Sequence, residues 1–529
     1  MSDIGFTKTR VLAFEPPPER PATKFIGETW KWHTALNREA DIQKLVERAA
    51  AEASSRDMTR QPFPLDSFVP LTCFNEAPFR DALMGIVRGT LIEIVLTDTD
   101  KLRPRNVDYS IKCCWIAEVI QSAGYFLFCR LLGTSLDEAG FWVHVGSAYV
   151  NRIGFAASKK NEGYCFIPPA HIIHGKTSEE WAEYLLNRTY NKYTLPSDFE
   201  HQRSAAFKST YSIGDRVEII YDDDSTKIFP AIITKVVGRR IFLEPSKKDI
   251  ANAEQFAKDN LWRDQADEFI FYVGFATDQG FEVIANDKYK AHAKAISSAI
   301  KNGTTPPYEK NDISLERIRQ WRENPHSNVK WEEGMVLEIM DRIDTMLNGL
   351  KPARVLKVLK HGYLKIGPEG EEVDEDSFPI HQTSIMLFPV GYSAKHGIEL
   401  IKPRDESSFS WQNFLAQSGY KAAPDILFHR VQETDITFQV GQRLEAVDQV
   451  EKVICPITVK ALKGRMVHVS FDGWDHTFDQ LYDFRSTDLL PLGWCELMGY
   501  KLQAPVDCTK GTKKHAGDED VVATKKIKR

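Results

Sequence analysis

One segment occurs four times in this chain, and nothing else in the sequence limits its fold as strongly, because a unit that recurs must be a unit that folds. The clearest copy begins Gly441-Gln-Arg-Leu-Glu445-Ala-Val-Asp448, and a close relative is Gly334-Met-Val-Leu-Glu338-Ile-Met-Asp341. Two weaker copies are Gly214-Asp-Arg-Val-Glu218-Ile-Ile-Tyr221 and Gly89-Thr-Leu-Ile-Glu93-Ile-Val-Leu96. Each is a glycine turn feeding a run of branched apolar residues, with a glutamate at one fixed place: the first strand of a small β unit. Roughly 50–65 residues later each copy carries a second signature. These are Arg152-Ile-Gly154-Phe155, Tyr272-Val-Gly274-Phe275, Pro389-Val-Gly391-Tyr392 and Pro491-Leu-Gly493-Trp494. A further glycine recurs in the last three, at Gly280, Gly397 and Gly499. Glycine followed by an aromatic marks a tight turn whose ring plugs a core, so this signature reads as architecture.

A helical stretch precedes each β unit. Trp30 to Glu52 is long and amphipathic, and Trp181-Ala-Glu-Tyr184 follows a capping-box sequence from Thr177 to Glu180. Ile313 to Arg322 and Trp411 to Leu415 repeat the helical spacing of apolar residues. Helices this short are unstable alone, so each must dock on a barrel, its own or a neighbouring one. Linker signals stand at Lys301 to Pro307 and at Lys402 to Ser408. The expected divisions are 25–175, 176–305, 306–403 and 404–505, then a basic tail, 506–529, with little to bury.

The remaining bulk properties exclude more than they assign. A net charge of −6 gives no global drive towards polyanions, and 42% hydrophobic residues suit a globular protein with ample core. No stretch reads as a signal peptide or a membrane span. The eight cysteines include no C-x-x-C pair, which argues against a zinc ribbon and suits a reducing compartment. No nucleophile–base or metal-ligand motif appears, so neither an enzyme nor a cofactor is expected.

The fourth unit adds a chemical pattern. Phe471-Asp472-Gly473-Trp474 and Phe478 follow Asp448, so three rings and one carboxylate accompany each other. Rings attract a cation through their π faces, and a carboxylate accepts a charged hydrogen bond from any N–H it carries. From the motif alone, a hairpin core and a ligand site are both open. Asp448 favours the ligand site, because an acid beside three rings needs a partner.

The fourth unit resembles a malignant brain tumour (MBT) repeat through Gly441-x-x-Leu444-Glu445-Ala446-Val447-Asp448, Phe471-Asp472-Gly473-Trp474-Asp475 and Asp488-Leu-Leu-Pro491-Leu-Gly493-Trp494-Cys495, with Trp411 and Ala423-Pro424 in the arm. The likeness is good in the third unit and worn in the first two. It implies a mainly β protein of four tandem MBT repeats, each a Tudor-like small barrel plus a helical arm. The activity implied is binding of mono- and dimethyl-lysine on histone tails, with trimethyl-lysine a weaker possibility, in transcriptional repression. By resemblance the cage is Asp448, Phe471, Trp474 and Phe478, with Glu451 at the mouth. Phe478 stands where the family often has tyrosine, and Glu451 where it often has asparagine.

The other units depart from this set. At Asp448 the third unit keeps Asp341, while the second has Tyr221 and the first Leu96. At Phe471 the counterparts are Pro368, Pro245 and Leu131; at Trp474 they are Glu371, Lys248 and Thr134. Only unit four can therefore offer rings to an ammonium, and units one to three become scaffold. The partners expected are methylated histone tails, nucleosomes and other chromatin repressor proteins, in the nucleus. The tail's Lys525-Lys526-Ile-Lys528-Arg529 would serve import or a weak phosphate contact.

Competing readings attach to several residues. A protein-interaction scaffold that reads nothing is the alternative function. Asp472, Asp475 and Asp479 read as solvated charges rather than a metal site. His171 and His174 read as surface histidines without a third ligand. Tyr149 to Lys160, Arg239-Arg240 and Lys247-Lys248 read as solvated basic faces, with nucleic-acid contact the sharper option.

Overall fold

The computed structural model describes residues 10–21, 30–32, 68–74, 76–97, 102–105, 107–134, 140–158, 161–221, 224–257, 261–319, 329–341, 347–371, 376–403, 408–428 and 437–505. Most of the helix expected from Trp30 to Glu52, and all of the basic tail, lie outside them. Among the described residues no helix is long and apolar enough to cross a membrane.

The repeated segments fold into four curled, mainly antiparallel sheets. In unit four the path runs Gln480–Asp483, Met466–Phe471, Ile454–Lys463, Arg443–Val447 and Leu489–Leu490. The first strands of the other units are Leu91–Val95, Arg216–Tyr221 and Met335–Ile339. Opposite the repeated glutamates Glu93, Glu218, Glu338 and Glu445 stand Ile116, Pro230, Pro352 and Pro456 on the second strand. Four residues beyond each of these the ladder skips one residue, at Ile120, Thr234, Leu356 and Lys460. A bulge bends its strand and deepens the twist, so one bulge at one place gives all four sheets the same curl.

The two sequence signatures meet in space. Each glutamate accepts from the signature glycine's N–H and from the N–H two residues on, at 2.7–2.9 Å: Glu93 from Gly154 and Ala156, Glu218 from Gly274 and Ala276, Glu338 from Gly391 and Ser393, Glu445 from Gly493 and Cys495. In units two to four the glycine adopts φ of 86–93° and opens a one-turn helix closed by Gly280, Gly397 or Gly499, also at positive φ. Without the carboxylate, these helix-start N–H groups would be buried without an acceptor.

The arms dock one unit away from where chain order suggests. Trp411 Nε1 donates to Glu338 at 2.8 Å, and Lys421–Ala422 pairs with Met335–Val336, so the arm ahead of unit four covers unit three. A helix the sequence reading missed, Asp287–Asn302, covers unit two through Tyr289 Oη on Glu218 at 2.8 Å. The capping-box helix, Ser178–Thr189, sets Trp181 edge to face against Trp115 of unit one. Unit four receives the chain's N-terminal segment: Trp32 Nε1 donates to Glu445 at 2.8 Å, and Phe68 bridges Arg443. The divisions expected at 175/176 and 403/404 group Ser178–Thr189 and Trp411–Ser418 with the barrel that follows, whereas these contacts tie them to the barrel before; the division at 305/306 leaves Asp287–Asn302 with unit two, which it covers.

Units two, three and four close a ring. Asp278 of unit two receives Lys360 and His361 from the second hairpin of unit three. Arg465, on the matching hairpin of unit four, donates to the carbonyls of Ile385 and Leu387 and lies over Phe388 of unit three. Trp262 of unit two meets Tyr500 of unit four edge to face. Unit one attaches to unit four, where Tyr125 N–H donates to Leu492 and His144 Nε2 to the Gly493 carbonyl. One apolar core runs through all four units.

Candidate functional site

The site in unit four is assembled from three segments that the ladder brings together. The first is the tight loop after the first strand: Asp448 N–H donates to Val453 and Lys452 N–H returns to the Asp448 carbonyl, both at 2.8 Å. Lys452 takes φ +57° to close it. The Asp448 carboxylate is half-buried and accepts from Val450 N–H at 2.8 Å, Glu451 N–H at 3.3 Å and Gln480 Nε2 at 2.8 Å. All three bonds fall on Oδ1, which leaves the acceptor capacity of Oδ2 for a ligand.

Gln480 is a positioning residue that sequence reasoning missed. Its Oε1 accepts from Gln449 N–H at 3.0 Å, so its amide nitrogen faces Asp448. The side chain is buried at the start of the fourth strand, two residues after Phe478. No spacing rule marks such a glutamine; only the fold brings it to the acid.

The second segment is the turn leaving the third strand. Phe471 ends that strand opposite Ile457 and is 3% exposed, a member of the unit's core cluster. Trp474 N–H donates back to Phe471, and the indole is 38% exposed. The third segment is the short helix His476–Phe478, capped by Asp475, which leaves Phe478 37% exposed. The Trp474 and Phe478 rings meet edge to face, 5.6 Å apart at 73°. The hairpin-core reading covered both rings: it describes Phe471, expected in the cage but buried in the core, and does not describe Trp474. Glu451 is exposed on the loop beside Asp448.

Cys455 links the segments. Burial pushes its thiol up to about 12, helped by the charges of Asp448 and Asp472. It stands opposite Ala446, the residue after the ladder glutamate. The same ladder position holds Trp115, Phe229 and Lys351 in the other units. Each larger side chain fills its unit from within. Trp115 is buried with its Nε1 on the Leu132 carbonyl at 2.7 Å. Phe229 stacks on Phe256, and both meet Tyr221. Lys351 lies between Asp341 and Glu371. This floor position carries no local signal in the sequence; only the ladder register aligns it across the units.

The other candidate residues resolve differently. Asp472 is held by Arg443 at 3.0 Å and Thr458 at 2.7 Å, and buried Asp479 by Lys460 at 2.6 Å, so two of the three acids read as solvated are paired inside the unit. Arg239 pairs with Asp264 and Glu76, and buried Arg240 lies over Tyr500, so this basic pair is junction rather than solvated face. Among the described residues no group of three acids, cysteines or histidines is placed to hold a metal.

The sequence and the fold both have relatives. The MBT repeat family model matches residues 215–290, 335–407 and 442–509. Protein lin-61 of Caenorhabditis elegans is 33% identical over 83% of this chain and 74% of its own length. MBT domain-containing protein 1 of Homo sapiens is 31% identical, over 83% of this chain and 65% of its own. Polycomb protein Sfmbt of Drosophila melanogaster is 30% identical, but the chain spans only 35% of it. A crystal structure of the four MBT repeats of Drosophila melanogaster Sfmbt, in complex with the methyl-lysine peptide RHR(me)KVLR, superposes with a TM-score of 0.71. It covers 90% of this chain and 99% of the crystallised one, at 26% identity. Four curled sheets with one shared glutamate clip, together with these matches, place the chain in the MBT repeat family.

Proposed function

We propose that this protein is a nuclear reader of methylated histone lysine acting in transcriptional repression, with unit four as the reading module and units one to three as its scaffold. The observation that carries the proposal is the pairing of a half-buried carboxylate with two exposed rings. Asp448 has all three bonds on one oxygen, and Trp474 and Phe478, in edge-to-face contact, are each more than a third exposed. The Sfmbt structure, whose ligand is a methyl-lysine peptide, supports the same reading.

In this reading the methylated ammonium lies against Trp474 and Phe478, with buried Phe471 as backing, and Asp448 Oδ2 accepts its remaining N–H. Mono- and dimethyl-lysine keep such an N–H and trimethyl-lysine does not, which favours the lower states. Cation–π contact contributes roughly 0.5–2 kcal/mol per ring. One side chain buries little area, and ordering a flexible tail opposes binding, so affinity is expected at micromolar levels. Residence on nucleosomes then depends on several simultaneous contacts, through other repressor proteins or the basic tail.

Calorimetric titration with histone-tail peptides in all four methylation states tests this, beside folded Asp448→Ala and Trp474→Ala variants. Methyl-dependent binding lost in both variants is expected. Binding that survives both, or no binding by the wild type, removes the reader assignment and leaves an interaction scaffold.

A further inference from the structure

Unit three carries its own ammonium. Lys351 occupies the ladder position of Cys455: it stands opposite Ile339, as Cys455 stands opposite Ala446. Its side chain is 8% exposed, and its Nζ lies 3.0 Å from Asp341 Oδ2 and 2.6 Å from Glu371 Oε1. Both acceptors have register counterparts in unit four. Asp341 follows its ladder glutamate by the same interval as Asp448. Glu371 follows the strand-end residue Pro368 as Trp474 follows Phe471, and those strand ends pair with Ala353 and Ile457.

We infer that unit three retains a cation site specific for a primary alkylammonium, and that the chain's own Lys351 is its occupant. Rising from the floor, Lys351 places its charge between the acid and rim positions where unit four holds Asp448 and Trp474. The inference rests on the reading of unit four only for that comparison. The chemistry differs from a methyl-lysine cage in one respect: a carboxylate replaces the indole. Two carboxylates reward an ammonium that has N–H donors to give, and a quaternary ammonium has none. The carboxylates also need the cation. Burial and the charge of Asp341 both raise the Glu371 pKa, and Lys351 opposes them. Removing one partner of a buried ion pair leaves an uncompensated charge behind.

The test is chemical rescue in the full-length chain. Lys351→Ala removes the ammonium that lies between the two carboxylates, so the melting temperature should fall by several degrees. Propylammonium at tens of millimolar should restore most of that loss, because a ligand bound by the folded state alone raises stability with concentration. Tetramethylammonium and sodium chloride at matched ionic strength should not, and none of the three should move the wild type. Equal rescue by all three salts, or rescue by none, overturns the inference. Should Lys351→Ala not accumulate as folded protein, Cys455→Lys supplies the converse. In a chain whose wild type binds a dimethyl-lysine peptide, an ammonium on the floor of unit four should reach Asp448. It should weaken that binding at least tenfold with the melting temperature maintained, and undiminished binding overturns the inference. Rescue of Lys351→Ala in a protein that binds no peptide would remove the reader assignment alone.

Discussion

Units three and four have the same glutamate clip, the same bulge and the same acid three residues after the glutamate. They differ at Lys351 against Cys455, at Glu371 against Trp474 and at the strand ends Pro368 against Phe471, and the first two places decide what each acid faces. In unit three Asp341 pairs with an internal lysine; in unit four Asp448 is held on one oxygen beside exposed rings. The lesson is that the side chains around the acid can change completely while the fold that holds it stays the same. On the same ladder register unit three holds a buried lysine between two carboxylates where unit four holds a buried cysteine.

The sharpest way to break this contrast is to give unit four the rim of unit three. Trp474→Glu should cost roughly 2 kcal/mol of dimethyl-lysine binding, about thirtyfold, because the π face is lost and the carboxylate that replaces it makes no cation–π contact with the methyl groups. Thermal unfolding should change little, since the indole is 38% exposed. Calorimetry and a melting curve on one sample check both halves.

The shared scaffold predicts equal injury in both units. Glu338→Ala and Glu445→Ala each remove the acceptor of two backbone N–H groups and of one tryptophan Nε1. Each should destabilise by about 3 kcal/mol, at about 1 kcal/mol or more per orphaned donor, as measured by denaturant titration. A clear inequality would show that one clip depends on something its counterpart lacks.

A third prediction separates the seating of unit four from its pocket by pH. His144 is buried against unit four. Gly146 N–H donates to its Nδ1 at 3.0 Å, so the ring proton sits on Nε2, 2.9 Å from the Gly493 carbonyl. Burial lowers its pKa from 6.5 to about 4. Below pH 6.5 the unfolded chain takes up a proton that the folded ring refuses until about pH 4. The contribution is therefore complete above 6.5 and is lost as pH falls through 4, reaching about 3 kcal/mol. His144→Gln should flatten that limb of the stability–pH curve.

The smallest effect expected is at Gln480. Gln480→Ala removes one hydrogen bond from Asp448 and should weaken peptide binding by roughly 1 kcal/mol, about fivefold, without changing the order of methyl preference. A change in that order would make Gln480 part of the recognition surface rather than a support for Asp448.

Much of this was legible in the residues. Repetition marked four units, and the fixed glutamate and the glycine–aromatic turn marked their architecture, because a backbone turn and a buried acceptor tolerate few substitutes. The counterparts of Phe471 also read correctly: Leu131, Pro245 and Pro368 end the matching strands opposite Ala117, Ala231 and Ala353. The helix Asp287–Asn302 could have been found from its Asn286 cap, the apolar positions Tyr289, Ala293 and Ile296, and the closing Gly303. Gln480 and the floor position could not, since neither carries a local signal.

By itself, then, the sequence determined the unit, its number, its turns and which copy keeps rings beside an acid. These depend on local backbone preference and on apolar periodicity, which act between near neighbours. The tertiary structure alone decided which arm covers which sheet, that units two to four close a ring, and what stands beneath each acid. Those outcomes depend on donors and acceptors hundreds of residues apart, such as Trp32 and Glu445, and on a ladder register that sets Lys351 and Cys455 on the floors of their units. Chain order carries no direct measure of either.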